Sequence, residues 1–384
     1  MRPVASRSKT NPDYLIVGGG IIGCSLAREL ARTGAQVVLL ERNAVGSEAS
    51  SAAAGLLSPT FFEPTPHGPL IELCRQRAGI FEDWVKELRA DGMDDVGYRR
   101  TGLLSIALDG AEVEHLRNTL PEDNYPGRRA LWLTAQELRR QEPALAGHVQ
   151  GAAYYPDDAH VDPARLMRQV ARAAQHAGAR IHEDESVHRL ERREDRIVTV
   201  HTLQTSYQPG TVILTTGAWT GLFGEQAGFP LPTRAVKGQL LLADCRVSPV
   251  RTPLHAGDAL LVPWPDGRLL LGVTIDEAGF DTQVRLEGLR QILQQTTELV
   301  PAVADLPLHR AWAGLRPATP DELPYVGLVP SLKNLWVSAG HFRKGILLAP
   351  ICARLLAQSL GDGTLVPELS PFNPGRQTES APVS

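Results

Sequence analysis

A glycine-rich turn near the start of the chain constrains its fold more than any other feature. Gly18, Gly20 and Gly23 fit the spacing G-x-G-x-x-G. The apolar run 14–17 precedes the turn, apolar residues at helical spacing follow it, and a second apolar run occupies 37–40. A β-α-β unit of this length is typical of one half of a dinucleotide-binding domain. We therefore predict an α/β protein (α+β overall) with a Rossmann-like domain.

Each part of this unit has a physical role in holding a dinucleotide. Gly18 permits a sharp turn, Gly20 lets the backbone approach a pyrophosphate, and Gly23 lets the helix pack closely on the strand. The helix presents unpaired N–H groups and the positive end of its dipole to phosphates. Glu41 follows Gly20 by 21 residues, where a carboxylate accepts from a ribose hydroxyl. Arg42 alone would favour the 2′-phosphate of NADP, but the acid beside it argues against that. A plain structural glycine turn is the alternative interpretation.

Composition narrows the class of protein. A chain of 384 residues with 43% hydrophobic residues is long enough for two domains. Its net charge of −4 is spread along the sequence without a basic stripe, which argues against a nucleic-acid partner. The four cysteines lack metal-ligand spacing, so neither a metal site nor a disulfide framework is expected. No apolar stretch reaches the ~20 residues that span a bilayer, and we expect a cytoplasmic protein without a transmembrane segment.

Local signals predict several elements beyond the first unit. Helical periodicity covers 70–90, whereas 48–59 shows no periodicity and is predicted as a loop. Thr134 with Glu137 forms a capping box at a helix start. Asp162 is the expected N-cap of a second helix, which has proline in its first turn.

The order of the patterns indicates a nucleotide domain built from separate segments of chain. Antiparallel strands are predicted in the part of the sequence between two such segments, at 240–243, 259–262 and 269–273. We expect a cofactor domain from 13–95, 150–225 and 310–362, a substrate domain from 96–149 and 226–309, and flexible tails at 1–12 and 366–384.

Three longer segments carry a resemblance to a known family. They are 49–59 (ASSAAAGLLSP), 312–327 (WAGLRPATPDELPYVG) and 339–350 (AGHFRKGILLAP). Together they resemble the D-amino-acid oxidase family of flavoproteins, and within it the glycine oxidase (ThiO) type, over roughly residues 13 to 360. The resemblance implies a Rossmann-like FAD-binding domain with an inserted antiparallel-sheet substrate domain.

The resemblance also implies FAD as the cofactor and places its contacts. Related sarcosine oxidases bond the flavin to a cysteine near positions 315 and 316, but no cysteine lies between Cys245 and Cys352, so non-covalent FAD is expected. The implied cofactor-binding residues are Gly18, Gly20, Ile21, Ile22, Gly23, Glu41, Arg42, Ala49, Ser50, Ala54, Gly55, Leu56, Val187, His341, Phe342, Arg343, Lys344, Gly345, Ile346 and Leu347.

For the substrate, the resemblance implies that Arg316 clamps a carboxylate and that Arg343 lies beside it. A fork-shaped guanidinium suits a bidentate carboxylate, although a structural salt bridge is the alternative for Arg316. Leu260 falls where the family has tyrosine, and Ile275 where methionine is common. Lys344 stands where asparagine is usual. These departures argue against glycine as the preferred substrate and favour a larger D-amino acid or an N-alkyl glycine as the substrate.

The predicted function is FAD-dependent oxidative deamination of glycine or another small amino acid to the imine and then the 2-oxo acid. Oxygen or another acceptor would reoxidise the flavin, with hydrogen peroxide as the product of oxygen, and the resemblance implies a role in thiamine thiazole synthesis. No side chain is assigned as a catalytic base, because the flavin takes the hydride. A D-amino-acid or sarcosine-type dehydrogenase that reduces a quinone, and a flavoprotein module acting on modified RNA, remain as alternatives. Homo-oligomer formation is left open.

Overall fold

Two large β-sheets organise the chain in the computed structural model, which describes residues 11–59, 68–76, 79–123 and 128–378. The helices are α1 (Ile21–Ala31), α2 (Ala49–Ala52), α3 (Pro69–Gln76), α4 (Ile80–Ala90), α5 (Gly110–Asp123), α6 (Ala135–Gln141), α7 (Pro163–His176), α8 (Thr220–Ala227), α9 (Leu286–Leu299) and α10 (Gly345–Asp362). The strands are β1 (Tyr14–Val17), β2 (Val37–Leu40), β3 (Leu56–Leu57), β4 (Leu103–Ala107), β5 (Leu131–Thr134), β6 (Gly151–Tyr155), β7 (Ala159–His160), β8 (Arg180–His182), β9 (Val187–Arg193), β10 (Arg196–Thr202), β11 (Ser206–Tyr207), β12 (Thr211–Leu214), β13 (Arg234–Asp244), β14 (Leu254–Ala256), β15 (Ala259–Pro263), β16 (Arg268–Gly272), β17 (Leu308–Ala318), β18 (Tyr325–Leu328) and β19 (Leu335–Ala339). Short 3-10 helices are Gly217–Trp219, Pro301–Asp305, Pro367–Phe372 and Pro374–Thr378.

The six-stranded sheet has the order β18-β19-β12-β1-β2-β8, and its pairs are parallel except for β18 with β19. Alternate residues of β1 belong to different hydrophobic clusters: Ile16 packs with α1, α7 and α10, whereas Leu15 and Val17 pack toward the small sheet β11-β10-β9. Because both faces of this sheet are buried, its strands appear in the sequence as continuous apolar runs. The predicted Rossmann-like unit is confirmed.

The eight-stranded sheet has the order β17-β13-β16-β15-β14-β4-β6-β5 and is antiparallel except where β14 meets β4. Helix α9 covers one face through Ile292 and Leu299. The opposite face carries Leu240 and Leu260, which pack with Leu56 of β3. The predicted antiparallel sheet is therefore present, and one of its faces turns toward the glycine-rich half of the molecule.

Two strands join a different sheet from the one their position in the sequence indicated. Strand β6 at 151–155 pairs with β4 and β5, and β17 at 308–318 pairs with β13. Both were assigned, wholly or in large part, to segments of the nucleotide domain. Their partners lie far away in the sequence, and local patterning does not encode such pairing. The division into two domains stays a prediction.

The stretch 48–59 is not a plain loop, because it contains helix α2 and strand β3. β3 forms through pairing with the distant β7, which no local periodicity signals. The region 70–90, which has a helical sequence pattern, contains two helices, α3 and α4, rather than one. Gly79 adopts φ +88° immediately before α4. The predicted helix starts are confirmed: α6 has its capping box at Thr134, and Asp162 accepts from the N–H of Arg165.

The expected flexible tail at 366–384 is wrong for residues 366–376. Leu369 and Phe372 are buried at 0% and 1% exposure in the core that α1 and α10 share. Arg376 pairs with Asp321 at 2.8 Å. Two apolar side chains thus anchor a segment whose proline and serine content indicated disorder. Residues 1–10 and 379–384 lie outside the described part. No described helix combines the length and apolarity needed to cross a bilayer.

Candidate cofactor and substrate cleft

A long cleft lies where the carboxyl ends of β1, β2, β12 and β19 meet one face of the eight-stranded sheet. Ligands of open α/β sheets bind at this edge, because the connections from neighbouring strands run to opposite faces of the sheet there and leave a crevice that helix N-termini face. All the residues assigned to cofactor or substrate from the sequence line the cleft, except Gly23 and Leu347. Their individual roles stay predictions.

The glycine turn is shaped by backbone contacts that no side chain would permit. Gly18 has φ +110°, and a Cβ there would lie 2.5 Å from the carbonyl oxygen of Thr215. A Cβ on Gly23 would lie 2.1 Å from the carbonyl oxygen of Gly18. Gly23 therefore acts beneath the turn, where it lets α1 approach β1, and this explains why it does not line the cleft.

Glu41 is fixed at the end of β2 by two backbone donors. Its Oε2 accepts from the N–H of Gly19 at 2.7 Å, and its Oε1 accepts from the N–H of Asn43 at 2.9 Å. The residue is 8% exposed. Because each carboxylate oxygen has a second lone pair, Glu41 can still accept from a ribose hydroxyl.

The side chain of Arg42 lies between Glu48 and Trp219, and all three residues line the cleft. Its Nη2 pairs with Glu48 at 2.6 Å, and its guanidinium carbon lies 3.7 Å from the ring centre of Trp219. Phe280 stacks on the same ring at 5.2 Å. Sequence reasoning missed Trp219, and the available signal was its place five residues after the end of β12, at the end of a 3-10 helix.

The start of α1 is held by a serine from another segment. Gly20, the N-cap, offers no side-chain acceptor, and the N–H of Ile21 donates instead to Ser50 Oγ of α2 at 2.9 Å. Gly55 follows with φ +84°, and a Cβ there would lie 2.1 Å from the carbonyl oxygen of Val161. The structure thus brings the glycine turn and the segment 49–55 together.

Three buried polar atoms in the cleft lack a hydrogen-bond partner within the described chain. They are Ser58 Oγ, Ser338 Oγ and His341 Nε2. Buried polar groups are almost always satisfied in folded proteins, so this part of the cleft fits a ligand that brings its own polar atoms. Burial lowers the pKa of His341 to about 3, which keeps its ring neutral. Sequence reasoning did not identify either serine.

The N-terminus of α10 opens on the same region. Lys344, at the N-cap, is 4% exposed, and its Nζ donates to the carbonyl of Ser58 at 3.1 Å. Phe342 adopts φ +44° and donates its N–H to the carbonyl of Pro317 at 2.9 Å. The positive end of the helix dipole therefore faces the cleft and favours negative charge on a ligand.

Arg316 lies on β17 with its half-buried side chain in the cleft. Its Nη1 donates to the carbonyls of Lys237 and Thr274, each at 3.3 Å. Burial lowers the pKa of Arg316 to about 10, and the nearby charge of Arg343 acts in the same direction, while Asp276 opposes it. No carboxylate of the described residues lies within ion-pair distance of this guanidinium, which disfavours the structural salt bridge.

The remaining predicted substrate residues also line the cleft. Leu260 of β15 is 1% exposed, and Ile275, which follows β16, is 45% exposed.

The cleft as a whole fits a dinucleotide with a polar ring system and an anionic second ligand. The features that support this are the glycine-rich turn, the Glu41 carboxylate and the unsatisfied polar atoms. FAD meets these requirements.

Comparison with known proteins agrees with this geometry. The model of the family described as FAD dependent oxidoreductase (DAO) matches residues 13–359. Glycine oxidase of Geobacillus kaustophilus is 33% identical over 366 residues, covering 94% of this chain and 96% of that protein. The crystal structure of glycine oxidase from Geobacillus kaustophilus has a TM-score of 0.90 at 33% identity and covers 96% of this chain and 99% of that one. The bifunctional protein ThiO/ThiG of Synechocystis is 33% identical over 98% of this chain, which spans 56% of that relative's length.

Proposed function

Because the chain belongs to the FAD dependent oxidoreductase (DAO) family, we propose that it oxidises an amino acid at its CH–NH2 group. The observation that carries this proposal is the Arg316 guanidinium, which lies in the cleft against two carbonyls and no carboxylate of the described chain. A fork-shaped donor of this kind binds a carboxylate through two parallel hydrogen bonds. Similarity to glycine oxidases over nearly the whole chain supports the same reaction.

FAD, when bound, accepts the hydride that leaves the substrate α-carbon. Arg316 would hold the substrate carboxylate and so fix the position of that carbon. Arg343 lines the same cleft and would add a second positive charge. His341, neutral at physiological pH, would offer a hydrogen bond rather than a charge. We assign no protein base, since a neutral amine loses a hydride without one.

The complete reaction consumes an amino acid, oxygen and water and yields a 2-oxo acid, ammonia and hydrogen peroxide. The imine formed first is hydrolysed to the oxo acid. Glycine is one candidate substrate, and similarity to the ThiO/ThiG protein supports a role in thiamine biosynthesis. None of the four cysteines is among the described residues that line the cleft, which supports non-covalent FAD.

The test is an anaerobic assay with the purified yellow protein. Glycine, sarcosine and D-alanine are added separately, and loss of the oxidised-flavin absorbance is recorded. We expect at least one to bleach the flavin, and admission of air should restore the colour and produce hydrogen peroxide. Bleaching without peroxide, but with reduction of a quinone dye, would support a dehydrogenase. No bleaching by any amine would contradict the proposal, and salt-sensitive tRNA binding would favour the RNA-directed alternative.

A further inference from the structure

We propose that Thr274 is a positioning residue, whose hydroxyl replaces its own backbone carbonyl as a β-ladder acceptor and so leaves that carbonyl to orient Arg316. The inference rests on the proposed function, because it takes Arg316 as the group that binds the substrate carboxylate. Thr274 is 1% exposed and does not line the cleft. It therefore acts on the substrate only through the guanidinium.

A β-bulge places Thr274 beside β13. Strands β13 and β16 pair regularly as far as Leu240 and Gly272, and an isolated bridge then joins Lys237 to Asp276. Between these two pairs β13 contributes two residues, whereas the segment after β16 contributes three. An extra residue of this kind interrupts the ladder and re-aims the groups of the bulged strand, and such bulges are over-represented next to active sites.

The hydrogen bonds between Gln239 and Thr274 differ from those of a regular antiparallel pair. In a regular hydrogen-bonded pair, the two residues exchange two backbone N–H···O=C bonds. Here the N–H of Thr274 donates to the carbonyl of Gln239 at 3.4 Å, but the N–H of Gln239 donates to Thr274 Oγ1 at 3.0 Å. The threonine hydroxyl thus takes the place of the threonine carbonyl in the ladder.

The carbonyl that this exchange leaves out of the ladder accepts from Arg316. Its oxygen lies 3.3 Å from Nη1, and the carbonyl oxygen of Lys237 lies at the same distance from that nitrogen. Lys237 also exchanges two backbone hydrogen bonds with Asp276, each at 2.9 Å. The bulge therefore fixes both acceptors of Nη1, and with them the orientation of the guanidinium.

Asp276 and Gln239 hold the hydroxyl of Thr274 in one orientation. The hydroxyl donates to Asp276 Oδ2 at 2.7 Å, so its lone pairs are left for the N–H of Gln239. Gln239 is 2% exposed, and its side chain donates to the same Oδ2 at 3.3 Å and accepts from the N–H of Arg285 at 2.6 Å. A Cβ on Gly288 would lie 2.0 Å from Gln239 Nε2, so α9 packs directly on this amide.

Loss of the hydroxyl should return the Thr274 carbonyl to the ladder. In the Thr274→Val protein the N–H of Gln239 loses its acceptor, and a buried N–H without a partner is unfavourable. The acceptor that a regular ladder supplies is the carbonyl of residue 274, so Gln239 and Arg316 then compete for one oxygen. Valine has the same branched shape as threonine, which confines the change to the hydroxyl.

The experiment measures acetate binding to the yellow protein by calorimetric titration. Acetate carries a carboxylate but no amine, so the titration does not depend on turnover. We expect the acetate dissociation constant to rise roughly tenfold in Thr274→Val, whereas Thr274→Ser keeps the hydroxyl and should stay close to the unchanged protein. Steady-state kinetics should show a rise in KM with kcat nearly unchanged, because Arg316 binds the carboxylate of the substrate and of the transition state alike.

Thr296→Val is the matched control. Thr296 lies on α9 at 0% exposure, its hydroxyl donates to the carbonyl of Ile292 at 2.7 Å, and it does not line the cleft. This variant loses a buried hydroxyl without altering the bulge. It should therefore lose thermal stability and keep the acetate dissociation constant of the unchanged protein.

Two variants of Asp276 test the orientation of the hydroxyl at less risk to folding, because this side chain is half-buried. Asp276→Asn and Asp276→Ala remove the same negative charge, but only asparagine keeps an oxygen that can accept from Thr274 Oγ1. Acetate should therefore bind several-fold more weakly to Asp276→Ala than to Asp276→Asn.

The outcomes separate this inference from the proposed function. If Arg316→Ala binds acetate as tightly as the unchanged protein, Arg316 does not hold the carboxylate, and the proposed function loses the observation that carries it. If Arg316→Ala loses acetate binding but Thr274→Val retains it, the positioning role is wrong and the proposed function stands. Equal losses in Thr274→Val and Thr274→Ser would also overturn the inference, because they would assign the effect to packing rather than to the hydroxyl.

Discussion

Arg316 depends for its orientation on a residue without a side chain. A Cβ on Gly238 would lie 2.3 Å from both Nη1 and Nη2 of the guanidinium, so the group lies flat against β13. From that position Nη1 reaches the carbonyls of Lys237 and Thr274. Both bonds use the same nitrogen, which leaves Nη2 and Nε to make the two parallel bonds of a bidentate contact with a carboxylate.

Replacing Gly238 should therefore damage substrate binding while sparing the cofactor. In the Gly238→Ala protein the new methyl group displaces the guanidinium, and the charge-assisted bonds to the substrate weaken. Such bonds contribute ~1.5–3 kcal/mol, so KM should rise roughly ten- to a hundredfold. Steady-state kinetics and flavin content measure the two effects. Gly110→Ala, with open space at its Cβ, is the control, and an unaltered KM in Gly238→Ala would refute the positioning role.

At the scale of single residues, the sequence indicated which charged side chain to expect in the cleft, but it did not indicate the residues that surround that side chain. Arg316 was identified from its segment, because a guanidinium in an apolar setting needs an anionic partner. Gly238 and Ser338 were not identified, since their importance arises only when β13 pairs with β17 and β19 ends at the cleft. Trp219 was missed for the same reason: Arg42 reaches it across the cleft mouth.

At the scale of helices and strands, the contact between α1 and α2 determines which groups would bind a phosphate. Helix α1 begins without a capping side chain of its own, and Ser50 of α2 accepts from the N–H of Ile21. A Cβ on Gly20 would lie 3.1 Å from Ser50 Oγ, so the hydroxyl lies close over the helix start. The serine thereby fixes the first amide of α1 and offers a donor to a bound phosphate.

Removal of this hydroxyl should weaken FAD binding. Loss of one hydrogen bond to the ligand costs ~1 kcal/mol, so the FAD dissociation constant of the Ser50→Ala protein should rise roughly fivefold. Flavin fluorescence on dilution of the yellow protein measures it. Ser51→Ala is the matched control, because Ser51 belongs to the same short helix but does not line the cleft. Equal dissociation constants for the two variants would count against the role of Ser50.

Elements that local chemistry defines were predictable, and elements defined by distant partners were not. The capping box at Thr134 and the cap at Asp162 fixed two helix starts to the residue, because caps act within four residues. Strand β3 exists through its pairing with β7, and β6 through its pairing with β4 and β5. Nothing in the local sequence of β3 or β6 identifies the strands with which they pair.

In the whole molecule, function depends on the contact between two sheets of different construction. The parallel sheet supplies the glycine turn and Glu41, while the antiparallel sheet supplies Arg316, Leu240 and Leu260. Trp312 Nε1 donates to the carbonyl of Ala52 at 3.1 Å, which joins β17 to α2 between the two groups. Both sheets were predictable from period and composition, but which faces meet was not, because that depends on nonlocal packing.

Acid stability is a property of this whole assembly, because three histidines with lowered pKa values lie in different parts of it: His160 and His341 are buried and His255 is half-buried. Burial lowers the pKa of His160 and of His255 to about 4, and that of His341 to about 3. Each ordinary unfolded histidine has a pKa of ~6.5. The unfolded state therefore binds more protons than the folded state as pH falls below ~6.5, and folding stability is lost in that direction.

The free energy of unfolding should thus be nearly constant above pH ~6.5 and fall by ~1.4 kcal/mol per pH unit for each of these three histidines near pH ~5. Glu142, whose pKa is raised by burial, offsets part of this loss. Melting temperatures from pH ~7.5 to ~4.5 measure the trend. His255→Gln should lower stability at neutral pH yet show a shallower decline in acid, because one histidine no longer takes up a proton on unfolding. His115→Gln, at an exposed position, should keep the original slope, and parallel slopes for all three proteins would show that these histidines do not control acid stability.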